Sequence, residues 1–338
     1  MKKRIILLFA VILLLFSSCS NNAENETTTG FDTGTTVSEE FTDEYTTIPD
    51  AEGLEENSSN SAETIVNQNS SIRIEYGERT GTELTATGLE PLEKKNFILE
   101  DMNNSVGKSN EMISHSYGVA SDEIPHSISI QNQKFFDEKN YDAVCYDSKT
   151  DDKVLYLTFD CGYENGYTAK ILDVLKDKDV PAAFFCTLPQ MRDNHEIIAR
   201  MINEGHVVGN HSVTHPDFSS ISRSQIIDEL KGFDDYIREN FGYSALYFRY
   251  PQGKYSENAL DAVNSLGFKC VFWSLAYADW DLEDQKGAAY AYETVMSRIH
   301  PGAVILLHAV SPDNANALGR IIDAAREKGY EFRSLEDI

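Results

Sequence analysis

The chain has 338 residues, of which 55 are Asp or Glu and 29 are Lys or Arg, so its formal net charge is −26. Binding to nucleic acid phosphates needs clustered Lys and Arg, and this acidic balance therefore excludes a nucleic acid partner. A hydrophobic content of 41% is enough for a core, and the length allows one large domain or two small ones.

The first residues are typical of an export signal. A basic start, MKKR, precedes an apolar run at residues 5–16, which is shorter than the ~20 residues that a membrane-spanning helix needs. Two serines then precede Cys19, a pattern similar to a bacterial lipobox, in which the cysteine is lipidated. Phe16 stands where a lipobox usually has leucine, so cleavage without lipidation stays open. We predict a lipoprotein-type signal peptide over residues 1–19 and a membrane anchor at Cys19.

Residues 20–72 contain no Lys or Arg, and Asp and Glu are scattered there among Thr, Ser, Asn and Gly. Such a composition buries too little apolar surface to offset the entropy lost on ordering. We therefore predict a disordered acidic linker between the membrane and a folded domain. Residues 73–150 mix short strand-like pieces with polar stretches. They predict an N-terminal extension that is partly ordered from about residue 110.

Four cysteines follow Cys19 along the chain, and none of them forms a CxxC pair. This spacing argues against a structural zinc knuckle. In an exported protein, four cysteines allow one or two disulfides, and buried free thiols are the alternative. The four are Cys145, Cys161, Cys186 and Cys270.

From residue 154 onward, apolar runs alternate with segments of helical periodicity. Nearly continuous apolar runs are expected of parallel strands that are buried on both faces. The helical segments keep their apolar residues on one face, and several end at a glycine. We therefore predict a βα barrel or a doubly wound sheet, in which chemistry gathers at the carboxyl ends of the strands. The predicted strands are residues 154–160, 182–187, 206–211, 246–251, 269–275, 303–308 and 331–335.

Ionisable side chains stand at or just beyond the ends of several of these strands. A lone histidine or arginine at such a place is most often structural. An HxxxH pair is more specific, because one tight loop can direct both imidazoles at one point. Taken together, on one edge of a sheet, the residues predict a hydrolytic centre. They are Asp160 with Cys161, His211 and His215 of HSVTH, Arg249 of RYPQG, Asp279 with Trp280, and His308 of LLH.

In this order, TFDCG, HSVTH, RYPQG, the DW pair and LLH resemble the motifs of the NodB-homology polysaccharide deacetylases, carbohydrate esterase family 4. Longer segments, including FDCGYENGYT, VFWSLAYADWD and KGYEFRSLEDI, are similar to the delta-lactam-biosynthetic de-N-acetylase branch of that family. The resemblance implies a deacetylase domain over residues 151–338. Its implied fold is an α/β fold, a distorted barrel of the (β/α)7 type.

The resemblance also implies an enzyme that hydrolyses the N-acetyl amide of a sugar, with roles for particular residues. Asp160 is the implied general base, and Arg249 keeps it ionised. His308 is the implied general acid, which Asp279 orients. A divalent metal that activates water completes the implied machinery, and its ligands include His211 and His215.

Four further residues are implied to contact the substrate. Trp280 and Leu306 wall the acetyl site, and the backbone N–H of Gln252 adds an oxyanion contact. Tyr250 stands where the family motif often has proline, and Gln252 stands where many members have an aromatic residue or arginine. Both departures are expected to alter contacts with the sugar.

Cys161 occupies the place of an aspartate that is the third metal ligand in most of the family, although the delta-lactam branch also tends to lack that aspartate. A Cys161 thiolate beside two imidazoles favours zinc over Mg²⁺ or Mn²⁺, and zinc is the predicted cofactor. Cys161 as a bystander, a site without tightly held metal, and a disulfide between Cys161 and Cys186 are the alternatives.

The branch implies a peptidoglycan N-acetylmuramic acid deacetylase that acts in the formation of muramic-δ-lactam in spore cortex. Its implied partner is a peptidoglycan glycan strand whose peptide an amidase has removed. A deacetylase of N-acetylglucosamine or chitooligosaccharide is the first alternative, and a non-catalytic wall protein that binds glycan is the second. With the N-terminal signal, this predicts a monomeric protein anchored to the outer face of the bacterial cell membrane.

Overall fold

The computed structural model describes residues 84–338. The predicted signal peptide, Cys19 and the acidic linker lie outside the described residues. Apolar β-branched and aromatic residues dominate the longest strands, VLYLTFDC and AVILLH, as expected for a buried sheet. The strands are β1 Ile113–Ser114, β2 Ala143–Val144, β3 Val154–Cys161, β4 Ala183–Cys186, β5 Val207–Asn210, β6 Tyr247–Phe248, β7 Lys254–Tyr255, β8 Lys269–Val271, β9 Ala303–His308 and β10 Glu331–Phe332.

Helices separate most of these strands, and side-chain caps start several of them. Ser222 and Gln225 form a capping box at the start of α5, and Ser311 caps α8. Within the described range, no helix is both long and apolar enough to cross a bilayer. The helices are α1 Ser127–Lys139, α2 Thr168–Lys178, α3 Leu188–Asp193, α4 His195–Asn203, α5 Arg223–Phe241, α6 Glu257–Ser265, α7 Ala288–Met296 and α8 Pro312–Glu327.

The main sheet is parallel and has the strand order β10-β3-β4-β5-β6-β8-β2. Strand β9 lies outside this order and pairs parallel with β3. Backbone hydrogen bonds from Ser274 N to Val304 O (3.0 Å) and from Leu306 N to Leu275 O (2.9 Å) join β9 to the segment after β8. The sheet therefore curls toward a barrel with helices outside it. This is the α/β class and the distorted barrel that the sequence predicts.

Alternation along β3 separates two buried layers. Leu155, Leu157, Phe159 and Cys161 belong to the layer between the sheet and the helices. Tyr156 belongs to the layer enclosed by the curled sheet. Because successive side chains of a strand point to opposite faces, Asp160 shares the inner face with Tyr156. Asp160 and Cys161, which are adjacent at the end of β3, thus lie on opposite faces of the sheet.

The N-terminal extension packs against the barrel. Strand β1 pairs antiparallel with β7, and β2 adds to the parallel sheet beside β8. Residues 84–109 precede the predicted start of order, yet Leu92 and Leu99 are buried in the structure. Sequence reasoning missed β1, β2 and β7, each of which has two residues. Such short strands carry too few residues to show a periodicity.

Candidate active site

The predicted catalytic residues come together at the carboxyl ends of the parallel strands. Asp160 lies near the end of β3 and His308 ends β9, and their Cα atoms are register partners across these strands. Loops after β5, β6 and β8 supply the other groups. The site borders a cavity of ≈ 990 Å³. Predicted residues that line the cavity are Asp160, His211, His215, Gln252, Trp280, Leu306 and His308.

Asp160 and Arg249 form a buried ion pair below the cavity. Arg249 is 0% exposed, and its Nη1 donates to Asp160 Oδ1 at 2.8 Å. Three of its other four N–H donors go to Thr158 Oγ1 (2.9 Å) and to the carbonyls of Val271 (3.0 Å) and Phe272 (3.3 Å). A guanidinium held at all three of its nitrogens cannot follow the carboxylate elsewhere. Arg249 therefore holds one oxygen of Asp160 and leaves Oδ2 directed toward other partners.

The charges around Asp160 decide its protonation. Burial alone would raise the pKa of this carboxyl, but Arg249 first, then His211 and His308, outweigh burial and lower the pKa. Asp160 is consequently ionised at neutral pH. Burial lowers the pKa of Arg249, while Asp160 acts in the opposite sense, and an arginine keeps its charge in proteins.

His211 and His215 face each other beside Asp160. Their ring centroids are 4.9 Å apart, and His211 Nε2 lies 3.6 Å from Asp160 Oδ2. Nδ1 of His211 is 2.9 Å from the carbonyl of Arg249. Because a carbonyl only accepts, Nδ1 carries the proton and Nε2 presents its lone pair. Burial lowers the pKa of His211 to about 4, so this imidazole is neutral at pH 7.

Neutral imidazoles with a free lone pair are the form in which histidine binds a divalent metal. In His211 the ring nitrogen that would not bind metal already donates to a backbone carbonyl, as metal-binding histidines commonly do. Among the described residues, no group of three or more His, Cys, Asp or Glu is arranged as a complete ligand set. His211 and His215 are the two imidazoles that would hold a divalent metal here.

His308 and Asp279 form the second polar pair. Asp279 is 2% exposed, and its Oδ1 accepts from His308 Nδ1 at 2.7 Å while its Oδ2 accepts from the His308 backbone N–H at 2.8 Å. Burial acts to lower the pKa of His308, but the hydrogen bond and charge of Asp279 outweigh it and raise the pKa. Sequence reasoning missed Asn314, whose Nδ2 donates to Asp279 Oδ2 at 2.5 Å. An asparagine in the first turn of a helix carries no sequence signal for this role.

Several aromatic residues of the cavity were also missed. Tyr117 comes from the N-terminal extension and lines the cavity, and its hydroxyl donates to the carbonyl of Ala276 at 3.2 Å. Trp273 and Tyr277, from the same segment as Ala276, line the cavity as well. Tyr163 follows β3 and is 52% exposed at the same cavity. Tyr163 lies in FDCGYENGYT, and Trp273 and Tyr277 lie in VFWSLAYADWD, so those two motifs offered a signal for these three residues.

Cys161 does not join the imidazoles, and the predicted set of Cys161, His211 and His215 disagrees with the structure. Strand β3 continues through Cys161, so the side chain points to the face opposite Asp160 and lies in the outer layer. There it is 0% exposed and neighbours Cys186, its register partner on β4. The hydrogen bond with Cys186 and burial raise the pKa of the Cys161 thiol well above its usual range. The four described cysteines are free, including Cys161 and Cys186.

Replacing Cys161 with alanine is expected to leave the affinity for added Zn²⁺ unchanged, because the side chain lies away from both imidazoles. The change removes only a buried sulfur from the outer layer, so we expect the free energy of unfolding to fall by about 1 kcal/mol. Isothermal titration with Zn²⁺ and thermal unfolding measure the two effects. The comparison variant is His215→Ala, which should bind zinc more weakly. A loss of zinc affinity in Cys161→Ala equal to that in His215→Ala would restore the thiolate as a ligand.

The predicted contact between Tyr250 and the sugar also disagrees with the structure. It is 1% exposed and lies in the inner hydrophobic layer. Its ring stacks on Phe272 with centroids 5.6 Å apart, and it meets Phe248 edge-on at 4.8 Å. In the folded chain, four aromatic rings contact Tyr250. The local motif RYPQG contains none of these four rings, so it could not indicate a core position. Tyr250 therefore stabilises the core and does not line the cavity.

Comparisons with known proteins agree with this geometry. A family profile described as "Polysaccharide deacetylase" matches residues 147–271. The peptidoglycan-N-acetylmuramic acid deacetylase PdaA of Bacillus subtilis (strain 168) is 45% identical over 201 residues, which are 59% of this chain and 76% of that protein. This chain belongs to the polysaccharide deacetylase family. The predicted enzyme class, a polysaccharide deacetylase that hydrolyses amides, is thereby confirmed.

A solved structure and one further relative add to the comparison for this polysaccharide deacetylase. The solved structure of Bacillus subtilis PdaA, a family 4 carbohydrate esterase, is 41% identical with a TM-score of 0.65, and the match covers 68% of this chain and 97% of that chain. The likeness confirms the predicted fold. A chitooligosaccharide deacetylase of Sinorhizobium fredii (strain NBRC 101917 / NGR234) is 33% identical, and the match covers 54% of this chain and 89% of that protein.

Proposed function

We propose that this deacetylase removes acetate from N-acetylmuramic acid in peptidoglycan and so contributes to muramic-δ-lactam formation in spore cortex. One observation carries the hydrolytic part: Asp160, with a lowered pKa, and His308, with a raised pKa, border the same cavity. Two titratable groups whose surroundings drive their pKa values apart are suited to act as base and acid. The substrate part rests on the similarity to PdaA.

Asp160 is the proposed general base. Its low pKa keeps it ionised, so it can accept the proton of an attacking water at neutral pH. Arg249 fixes Oδ1 of Asp160, and Oδ2 remains the oxygen that faces His211 and the cavity. A base of low pKa is effective only toward a water that has itself become more acidic. The site therefore calls for a group that acidifies water.

His211 and His215 are the residues that would hold a divalent metal, and metal dependence is general in this family. Zinc suits two neutral imidazoles, and it would supply polarisation of the acetyl carbonyl and a more acidic water. The carbonyl of Arg249 fixes the tautomer of His211, so that Nε2 of this ring is the nitrogen free to bind the metal.

His308 is the proposed general acid, which protonates the sugar amine as the C–N bond breaks. Asp279 holds Nδ1–H of His308, so the other ring nitrogen carries its proton only in the imidazolium form. The raised pKa keeps that form populated near neutral pH. Asp279 thus positions the ring and supports its charge.

The walls of the cavity are proposed to hold the acetyl group. Leu306 is 4% exposed and points inward from β9, beside His308 on the same face. Gln252 has φ +57°, a left-handed backbone within the turn Pro251–Gly253 that borders the cavity. We assign its backbone N–H as a contact for the developing oxyanion, as the family motif implies.

Acetate release from three glycans tests the proposed substrate. We expect peptide-free cortex glycan to be deacetylated, and intact peptidoglycan and chitin oligomers to react much more slowly. The new amine should appear on the muramic acid residues in mass spectra of muropeptides. Preferential deacetylation of chitin oligomers would instead assign the enzyme to N-acetylglucosamine substrates, like the Sinorhizobium relative. Glycan binding without acetate release, whichever metal is added, would indicate a non-catalytic wall protein that binds glycan.

The cellular setting of this activity is also a proposal. A deacetylase of peptidoglycan works outside the cytoplasm, which agrees with the predicted export signal at residues 1–19 and the predicted acidic linker at 20–72. We propose a monomer tethered to the outer face of the membrane through lipidated Cys19, with the catalytic domain over residues 151–338. Fractionation of cells that carry Cys19→Ala tests the anchor, because the variant should leave the membrane fraction.

Replacing Trp280 with alanine is expected to raise KM about ten-fold and to leave kcat nearly unchanged, as is typical when one aromatic contact with a ligand is lost. Trp280 lines the cavity but is 58% exposed, so it contributes little to the core. Steady-state kinetics on cortex glycan measure the effect. The matched control is Tyr250→Phe, whose hydroxyl reaches only Cys270 Sγ at 3.8 Å, and KM should not change. A fall in kcat alone for Trp280→Ala would contradict a role in binding.

A further inference from the structure

The loop that carries both histidines has an unusual backbone. Ser212 (φ +74°) and His215 (φ +59°) adopt left-handed conformations, although neither is glycine. Such residues persist only where the surroundings determine them strongly. Within the loop, Ser212 N donates to Asn210 Oδ1 at 2.8 Å, and His215 N donates to Ser212 Oγ at 2.9 Å. These two bonds tie the loop to itself and to the end of β5. Support from elsewhere comes from Leu188 N, which donates to Ser212 O at 3.1 Å, from the carbonyl of Arg249, and from α5.

Glu229 of α5 accepts three hydrogen bonds from the loop. Its Oε2 accepts from the backbone N–H groups of Val213 and Thr214, each at 2.8 Å, and its Oε1 accepts from Thr214 Oγ1 at 2.6 Å. Hydrogen bonds to a charged acceptor are stronger than neutral ones. One carboxylate thus satisfies two of the three backbone donors between the two histidines, and Asn210 Oδ1 satisfies the third. Its position fixes the path of the chain from His211 to His215.

Gly232 lies one helical turn beyond Glu229 and gives the loop room. A Cβ at this position would stand 2.7 Å from Val213 Cγ2, which is closer than real atoms approach. Glycine in a helix interior is unfavourable, so its presence here needs a reason, and the side chain of Val213 supplies one. Between these two residues, the carbonyl of Leu230 accepts from Asn210 Nδ2 at 3.1 Å. Residues 229–232 of α5 therefore contact Asn210 just before the loop, the backbone of Val213 and Thr214 in its middle, and the side chain of Val213.

We propose that Glu229 and Gly232 are positioning residues that hold the HSVTH loop ready for metal before any metal binds. The inference rests on the proposed function in one respect, namely that His211 and His215 hold a divalent ion. Neither residue touches the cavity, so their effect passes through the loop. Supporting groups of this kind change metal affinity by roughly 10–100-fold when they are removed.

Zinc affinity of the purified chain provides the test, by competition with a chromophoric chelator. Glu229→Gln should bind Zn²⁺ about 10–100-fold more weakly. Gly232→Ala should also bind it more weakly, although alanine favours the helix. Because the β-branched side chain of Val213 is stiff, the clash shifts the loop backbone. The double variant Val213→Ala with Gly232→Ala should recover the affinity of Val213→Ala alone, since the clashing methyl is then absent.

Two matched controls separate positioning from general stability. Glu239→Gln changes another glutamate of α5, whose contact is an exposed ion pair with Lys94 at 3.4 Å. Gly319→Ala changes a glycine of α8 where an added Cβ would meet Val174 Cγ1 at an ordinary 3.7 Å. Both should bind zinc like the parent protein. Equal zinc affinity in Glu229→Gln, Gly232→Ala and these controls would overturn the inference.

Amide hydrogen exchange in the metal-free protein gives a readout that needs no metal. The peptide covering residues 211–215 should exchange faster in Glu229→Gln and Gly232→Ala than in the parent protein and the two controls. Failure of the parent protein to bind zinc would overturn the metal part of the proposed function, while a change in exchange would still support the loop positioning. Unchanged exchange in both variants would overturn the positioning itself.

Discussion

Replacing Asp160 with asparagine is expected to lower kcat for acetate release by about 10²–10⁴-fold, the usual contribution of a general base. Asparagine has nearly the same shape and can still accept the hydrogen bond from Arg249 Nη1, which is 2.8 Å from the carboxylate. It cannot take a proton from water. The measurement is single-turnover acetate release from peptide-free cortex glycan. KM should change little, because the amide side chain leaves the cavity walls as they are.

Stability has to be followed in the same variant, because Arg249 is fully buried and loses its counter-charge. Removing one partner of a buried ion pair costs about 3–5 kcal/mol, so kinetics should be measured well below the unfolding temperature. Asp147→Asn is the matched control. Asp147 is also a buried carboxylate that accepts a hydrogen bond, from Tyr156 OH at 3.0 Å, and it does not line the cavity. Full activity of a folded Asp160→Asn protein would assign the base elsewhere.

Strand periodicity explains how far the sequence predicted the site. The run VLYLTFD and the run AVILLH end at the same level of the sheet, and the structure pairs Asp160 with His308 across β3 and β9. A parallel sheet brings such ends together whatever the intervening helices do. The fold class and the grouping of Asp160 and His308 were therefore within reach of sequence reasoning.

The same periodicity explains the error at Cys161. The prediction ended the strand at Asp160 and named Cys161, the next residue, as a metal ligand beside the imidazoles. In the structure β3 includes Cys161, and a strand sends adjacent side chains to opposite faces. One residue of difference in a strand boundary thus moves a side chain from the cavity to the outer layer. Strand boundaries are the least certain part of a sequence prediction.

Contacts between distant segments lay beyond the sequence altogether. Tyr117 reaches the cavity because β1 pairs with β7, and neither strand is long enough to be seen as a pattern. Tyr250 enters the core because Phe272, just after β8, stacks on it. Glu229 has the appearance of an ordinary charged residue on an amphipathic helix until the loop after β5 is placed against it. In each case the role of the residue depends on a contact with a distant segment, which the sequence around the residue does not show.

Replacing Asp279 with asparagine is expected to lower kcat at pH 7 by about 10²-fold, within the range for general acid catalysis, and to move the basic limb of the pH profile to lower pH. Asp279 now accepts from both N–H groups of His308 and from Asn314 Nδ2. An asparagine offers one accepting oxygen and an NH2 group in place of the second. If the oxygen stays with Asn314 and the His308 backbone, the NH2 group faces Nδ1 and enforces a neutral ring.

The sign of the pH effect follows from the charge of Asp279. In the parent protein Asp279 raises the pKa of His308 against the effect of burial, so the acid form survives to higher pH and activity falls as pH rises through that pKa. Without the charge, burial dominates and the pKa of His308 falls. Rates of acetate release across pH 5–9 locate the limb. Asp313→Asn is the control, because Asp313 Oδ2 accepts from Gly287 N at 2.6 Å and makes no hydrogen bond to His308 within the described residues, so the limb should stay in place. A limb that does not move in Asp279→Asn would show that another group donates the proton to the leaving amine.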